Sequence, residues 1–146
     1  MATYSFMDVS ASMVGPTGAF DLGAGSANST EGITVAMAED KNSMTIGADG
    51  EVMHNMSASK HGTVTINLLK TSPMNKMLSL AYNAQSQSSA LWGKNVFVIR
   101  NHASGDIVTV RAAAFKKQPD WQNATTPEVV AWTFDGGKID QVLGEF

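Results

Sequence analysis

Three histidines, His54, His61 and His102, are the residues of this 146-residue chain best suited to proton transfer or metal binding. They are spread apart, with no His-x-x-x-His pair and no Asp-rich loop to supply oxygen ligands to a cation. A nucleophilic triad needs a Ser or Thr whose proton is taken by a His that a carboxylate orients. His54 falls in an alternating run and His61 and His102 fall in turns, so all three read as surface or interface histidines. The chain has no cysteine, which removes thiol nucleophiles, disulfides and zinc–thiolate clusters. Gly15, Gly18, Gly23, Gly25 and Gly32 do not form a strand–GxGxxG–helix unit, so no phosphate cradle is written here. The expectation is a non-enzymatic protein without metal or cofactor.

The remaining chemistry is that of contact. Carboxylates pair as Glu39-Asp40 and as Asp49 with Glu51. Both pairs sit at expected turn tips, where acidic groups are ordinarily solvated; the sharper reading sets them against basic residues of a neighbouring subunit. Nine methionines serve either as core filler or as an adaptable contact surface. Trp92, Trp121 and Trp132 would suit a sugar platform, but no local pattern aligns them.

These residues must be carried by β structure. Period-two alternation runs from Tyr4 to Val14, with Ser5, Met7, Val9, Ala11 and Met13 on one face. Gly15-Pro-Thr-Gly18 turns it into a short return at Phe20 to Leu22, and a loop of small residues spans 23–30. Ile33, Val35 and Met37 mark the next strand, 39–42 its polar tip, and Met44 to Ile46 the return. Asp49-Gly50 is a hairpin turn, since Gly accepts the positive φ such turns need. Val52 to Ser59 and Thr63 to Lys70 flank Lys60-His-Gly62, which predicts a second hairpin. Val64, Ile66 and Leu68 face one side and Thr63, Thr65 and Asn67 the other, so one face is buried and one is wet or contacted.

A helix is expected over 72–85. Ser72 is placed to cap it, Pro73 suits its first position, and Met74, Met77, Leu78 and Ala81 form its inner stripe beside Tyr82. Further strands follow at Lys94 to Asn101, Ile107 to Phe115, Glu128 to Asp135 and Ile139 to Val142. The total is eight to ten strands in a single domain, 1–146. The fold class is mainly β: a β-sandwich or partly closed barrel of two antiparallel sheets, with a short flanking helix and a long extended ribbon over 31–59.

Charged residues make up 16% of the chain, against about 25% in typical globular proteins. A charge-poor surface fits either coverage by other subunits or a β protein rich in small residues. The net charge of −3 and the scattered basic residues argue against a sequence-reading nucleic-acid binder, which needs cations to neutralise phosphate. No segment approaches the roughly 20 apolar residues of a membrane span, and Met1 to Asp8 lacks a basic n-region and an apolar stretch. The chain is expected to stay in the cytosol unless released by lysis or a dedicated machine. Asn-x-Ser/Thr triplets at Asn28, Asn55 and Asn123 read as chance matches.

The ordered segments Glu31-Gly-Ile-Thr-Val, Glu39-Asp-Lys-Asn42, Ile46-Gly-Ala-Asp-Gly-Glu51 and Ser59 through Asn75 resemble the tail tube proteins of contractile-tailed bacteriophages. The opening Tyr4-Ser-Phe-Met-Asp-Val9 and the closing Trp132-Thr-Phe-Asp-Gly-Gly-Lys-Ile-Asp140 resemble that group too, so the likeness covers nearly the whole chain. The resemblance implies a structural virion protein whose six-membered rings stack as the inner tail tube and deliver the genome to the host. It implies as partners other copies of the chain, the tail sheath protein, the tape measure protein, the baseplate hub, the tail terminator, and double-stranded DNA passing without specific binding. It also implies assembly in the host bacterial cytoplasm. Net acidity suits a low-friction lumen as well as it suits solubility. Candidate inter-ring and inter-subunit contacts are Glu39, Asp40, Lys41, Asn42, Met44, Asp49, Glu51 and Lys60. The alternatives are the inner tube of a tailocin or type VI-like system and, from another class, a monomeric β-sandwich carbohydrate or ligand module.

Overall fold

The computed structural model describes residues 2–25, 28–125 and 129–146. Ten strands and one α-helix are found there: β1 (Val9–Gly15), β2 (Gly18–Asp21), β3 (Asn28–Met37), β4 (Ser43–Ile46), β5 (Val52–Asn55), β6 (Gly62–Leu69), α1 (Met74–Gln85), β7 (Asn95–Asn101), β8 (Asp106–Lys117), β9 (Val129–Gly136) and β10 (Lys138–Val142). The middle of the expected small-residue loop, Ser26 and Ala27, and the expected strand start at Glu128 lie outside the described residues.

Eight strands form one antiparallel network in the order β2-β1-β7-β8-β9-β6-β3, with β10 also on β8; β4 and β5 pair separately. The network folds into two layers on β8. Its first part, Ile107 to Ala113, pairs with β7 and β10, and its last part, Ala114 to Lys117, pairs with β9. The changeover is a bulge at Ala112, whose φ of 52° is left-handed. A bulge adds a residue and bends the strand, which lets one strand serve both layers. The first layer is thus β2-β1-β7-β8-β10, open rather than closed into a barrel, and the second is β8-β9-β6-β3.

Between the layers lies the core. Val64, Ile66 and Leu68 of β6 and Phe134 of β9 have no exposed surface and face Met13, Phe97 and Val110 of the first layer. Phe134 meets Phe97 edge-on and tilts against Phe115, in each case with 4.7 Å between ring centroids. Helix α1 closes one end, burying Leu78, Ala81 and Gln85, with Tyr82 edge-on to Phe115 at 5.4 Å. Helical dihedrals begin at Pro73, and the Ser72 hydroxyl accepts from the Met74 amide at 3.3 Å, as a capping residue should. The inner stripe differs at one position, since Met77 is exposed and Gln85 buried. Gln85 and Asn95 exchange two side-chain hydrogen bonds of 3.0 and 2.8 Å, satisfying both amides. The same Gln85 donates to Thr17 at 2.9 Å, fixing the helix end to the β1–β2 turn.

Two local expectations are corrected. The alternation from Tyr4 does not start a strand there: Phe6–Asp8 is a 3-10 turn whose Met7 amide is capped by Ser5, and extended structure begins at Val9. The hairpin expected across Lys60-His-Gly62 does not form. Strand β5 ends at Asn55 and pairs with β4, while β6 pairs with β3 and β9. The segment 31–59 accordingly divides into the second half of β3, held in the second layer, and a separate hairpin beyond it.

Candidate assembly surfaces

The hairpin β4–β5 is the tip of an arm. Its two ends leave the second layer side by side, where Met37 is registered with Gly62 and the Ala38 amide donates to the His61 carbonyl at 3.2 Å. A Cβ at Gly62 would lie 2.3 Å from the Ala36 carbonyl oxygen, so glycine lets the returning chain sit close to β3. Beyond the root, register places Met44 opposite His54 and Ile46 opposite Val52. Opposed residues share a face, so Met44, Ile46, Val52 and His54 form one side of the hairpin. Asn55 donates to the Thr45 hydroxyl at 2.9 Å on the other. The Ile46–Val52 turn is closed by the Gly47 amide on the Glu51 carbonyl at 2.7 Å and by the Glu51 amide on the Asp49 carboxylate at 3.1 Å. Gly50 supplies the positive φ, 87°.

Every residue of β4 and β5 except Asn55 is exposed, Met44 at 57% and Met53 at 58%, and Met56 behind them at 90%. Six methionines are exposed on the described surface, namely Met7, Met37, Met44, Met53, Met56 and Met77. That favours the contact-surface reading of this residue type over core filler.

The eight residues singled out by sequence divide between tip and root. Glu39, Asp40 and Asn42 lie on the exposed stretch that leads out to the hairpin, and Met44, Asp49 and Glu51 lie on the hairpin itself. Lys41 and Lys60 stand at the root, around a shallow depression shared with Asp140 of β10. Lys60 Nζ pairs with the Asp140 carboxylate at 3.1 Å across half-exposed surface. Its own carbonyl accepts from the Ile139 amide at 2.8 Å. The Lys60 hydrogen bond, then the Lys60 charge, with help from Arg111 and Lys41, holds the Asp140 carboxyl below the usual carboxylate range. Sequence reading had no signal for Asp140, which is 80 residues from its partner.

Other candidate chemistry disperses. Trp132 is buried and spends its indole N–H on Asn75 at 3.0 Å, Trp92 stands edge-on to Tyr82, and Trp121 is 87% exposed. Trp121 and Trp132 border one open groove with Asn75, Val129 and Val130 at the first turn of α1, and Trp92 is not among its lining residues. His102 Nε2 lies 3.0 Å from the Ser10 hydroxyl at the surface, and His61 bonds to Ser59. Among the described residues no cluster of three His, Asp or Glu side chains is arranged to hold a metal, and no helix is long and apolar enough to cross a membrane.

The family model of the bacteriophage PhiTE tail tube protein matches residues 1–144. No curated protein sequence matches the chain. Among solved structures, the fold is similar to a chain of the PVC extracellular contractile injection system in its extended sheath–tube complex, with a TM-score of 0.59 at 10% identity over 97% of this chain and 92% of that one. It is also similar to a chain of the anti-feeding prophage tube-terminating cap, with a TM-score of 0.58 at 10% identity over 99% and 95%. A chain from the anti-feeding prophage baseplate gives 0.54 at 16% identity over 97% and 96%.

Proposed function

Because this chain belongs to the bacteriophage PhiTE tail tube protein family, a component of a virion or phage-like particle, we propose that its copies form hexameric rings stacked as the inner tube of a contractile tail. The tube lies inside a sheath, between baseplate hub and terminator, is measured by a tape measure protein, and passes double-stranded DNA to the host without specific binding. The chain acts by geometry and performs no catalysis.

The observation that carries this reading is the arm. A two-stranded hairpin alone is marginally stable in water, and this one shows Met44, Ile46 and Val52 on one face with no layer of its own chain beneath them. A second copy supplies the missing layer. The contact is heterologous, arm against body, and such a contact propagates from copy to copy until it closes as a ring or extends as a stack. Strands β2 and β10 end the first layer and β3 ends the second, and they supply edges for pairing within a ring. The acidic positions Glu39, Asp40, Asp49 and Glu51, with Asn42 beside them, meet the neighbouring subunit, whereas Lys41 and Lys60 act chiefly at the root of their own arm.

Negative-stain electron microscopy with light scattering tests the proposal. Wild-type protein should give rings or hollow tubes, and Met44→Asp with Ile46→Asp should leave no stacked species. A wild-type chain that stays monomeric at high concentration and does not polymerise on preformed baseplates would overturn it. The similarity to chains of an extracellular contractile injection system and of the anti-feeding prophage supports a second reading, the tube of a non-phage contractile system. Capsid and packaging genes beside the coding sequence would favour the phage tail, and their absence the other.

A further inference from the structure

Sulfur is unevenly placed on this chain. No methionine follows Met77. Of the six methionines exposed on the described surface, Met37, Met44, Met53 and Met56 lie on the arm or at its root, whereas Met13 sits in the core with no exposed surface. The register of the hairpin separates the arm's sulfurs further. Met44 lies opposite His54, on the face that also carries Ile46 and Val52, while Met53 lies opposite Thr45 on the other face. Met56 lies beyond the end of β5. Methionine is the apolar side chain that a peroxide converts into a polar one, and the rate of that conversion follows access to the sulfur. The arm therefore carries, on the face that its own chain leaves uncovered, a side chain whose polarity can be changed after folding.

Resting on the tube reading above, we propose that Met44 is an oxidation site that gates assembly: a peroxide converts its thioether to the sulfoxide in the unassembled subunit, and the modified arm no longer docks. In that step the sulfur lone pair attacks one peroxide oxygen, the O–O bond breaks and an S–O bond forms. The proton on the transferred oxygen passes to the departing one, which leaves as water. Sulfur is oxidised by two electrons and the peroxide is reduced by two. The product carries a strongly polar S–O group, and taking such an acceptor out of water without a donor is costly. At position 44 that group enters the side-chain layer of Ile46 and Val52, which a second copy would cover. At position 53 it lies on the opposite face, and at 56 it lies outside the hairpin, so neither interrupts that layer. Met13 is shielded for as long as the chain is folded. Sulfoxide reductases take two electrons from a dithiol, release the oxygen as water and return the thioether, so the change is reversible. Once docked, Met44 is covered, and the switch acts on subunits rather than on finished tubes.

The absence of cysteine makes the test clean, because no thiol competes for the oxidant. Untreated wild-type protein is first assembled and checked for tubes by electron microscopy. Unassembled protein is then treated with hydrogen peroxide, quenched with catalase, mapped by peptide mass spectrometry and set to assemble. Met44 should oxidise at least tenfold faster than Met13, tube yield should fall at least tenfold, and methionine sulfoxide reductases acting on both epimers with a dithiol should restore it. Met44→Leu keeps an apolar side chain of similar volume, so it should assemble before and after peroxide alike. Met53→Leu combined with Met56→Leu should stay as sensitive as wild type. In finished tubes, Met44 should oxidise at least tenfold more slowly than in subunits. Normal tube yield from subunits fully oxidised at Met44, loss of assembly in peroxide-treated Met44→Leu, or insensitivity of the Met53→Leu, Met56→Leu chain would each overturn the assignment while leaving the tube intact. Failure of untreated wild-type protein to form tubes defeats the assembly reading itself, and is recognised before any oxidant is added.

Discussion

The sandwich and its arm follow opposite rules of burial. Within the sandwich, Phe97, Phe134, Ile66 and Leu68 have no exposed surface, and even the buried amides of Gln85 and Asn95 satisfy each other. On the arm, Met44, Ile46, Val52 and Met53 are all roughly half exposed or more. One region is stabilised by its own side chains, while the other carries apolar side chains that the single chain leaves exposed. On the proposed assembly, burial in one chain therefore separates what makes the subunit from what would join it to the next.

Substitution should separate them most sharply. Phe134→Ala removes a ring that packs on Phe97 and Phe115, and should cost about 3–5 kcal/mol in urea unfolding of the monomer. Met44→Ser with Ile46→Ser should change monomer stability by no more than about 0.5 kcal/mol, as exposed positions do, while abolishing assembly. Equal destabilisation by the two would break the comparison. At the next level down, Asn95→Ala leaves the Gln85 amide short of a buried partner and should cost about 1–3 kcal/mol. Loss of assembly without loss of stability in that variant would put the pair on the arm's side of the divide.

The smallest effect lies at the root. Asp140 should titrate below the ordinary aspartate range by NMR, and its pKa should rise in Lys60→Ala and in high salt. A depressed folded-state pKa means that the Lys60–Asp140 contribution is present above the unfolded-state value and is lost as pH falls through the folded one. Amide exchange at Ile139, which donates to Lys60, should therefore accelerate on acidification in wild type and be pH-flat, beyond the intrinsic rate, in Asp140→Asn.

Alternation made the body legible. The stripe of Val64, Ile66 and Leu68, the turn at Asp49-Gly50 and the Ser72-Pro73 helix start are all local patterns, and the structure has them. What stayed hidden depends on distance or competition. The Ser5 hydroxyl outbids alternation by capping the Met7 amide, so Phe6–Asp8 turns rather than extends. Nothing local told β6 to pair with β3 across the arm rather than with β5. The layer change at Ala112 is likewise silent, since alanine announces neither a bulge nor a positive φ. Among the contact candidates, the ion pair that holds Lys60 at the root is made with Asp140, a residue far along the chain.

The joined root of the arm has an evolutionary consequence. Because Met37 and Gly62 are register partners and the Ala38 amide donates to the His61 carbonyl, whatever lies between them begins and ends at one fixed point. Closing a longer insertion there costs about 0.6 kcal/mol for each doubling of its length, and the body need not repack. If copies stack as proposed, insertions and deletions in 38–61 would reset the axial repeat while leaving the bore unchanged, so that spacing and calibre would be inherited as separate traits.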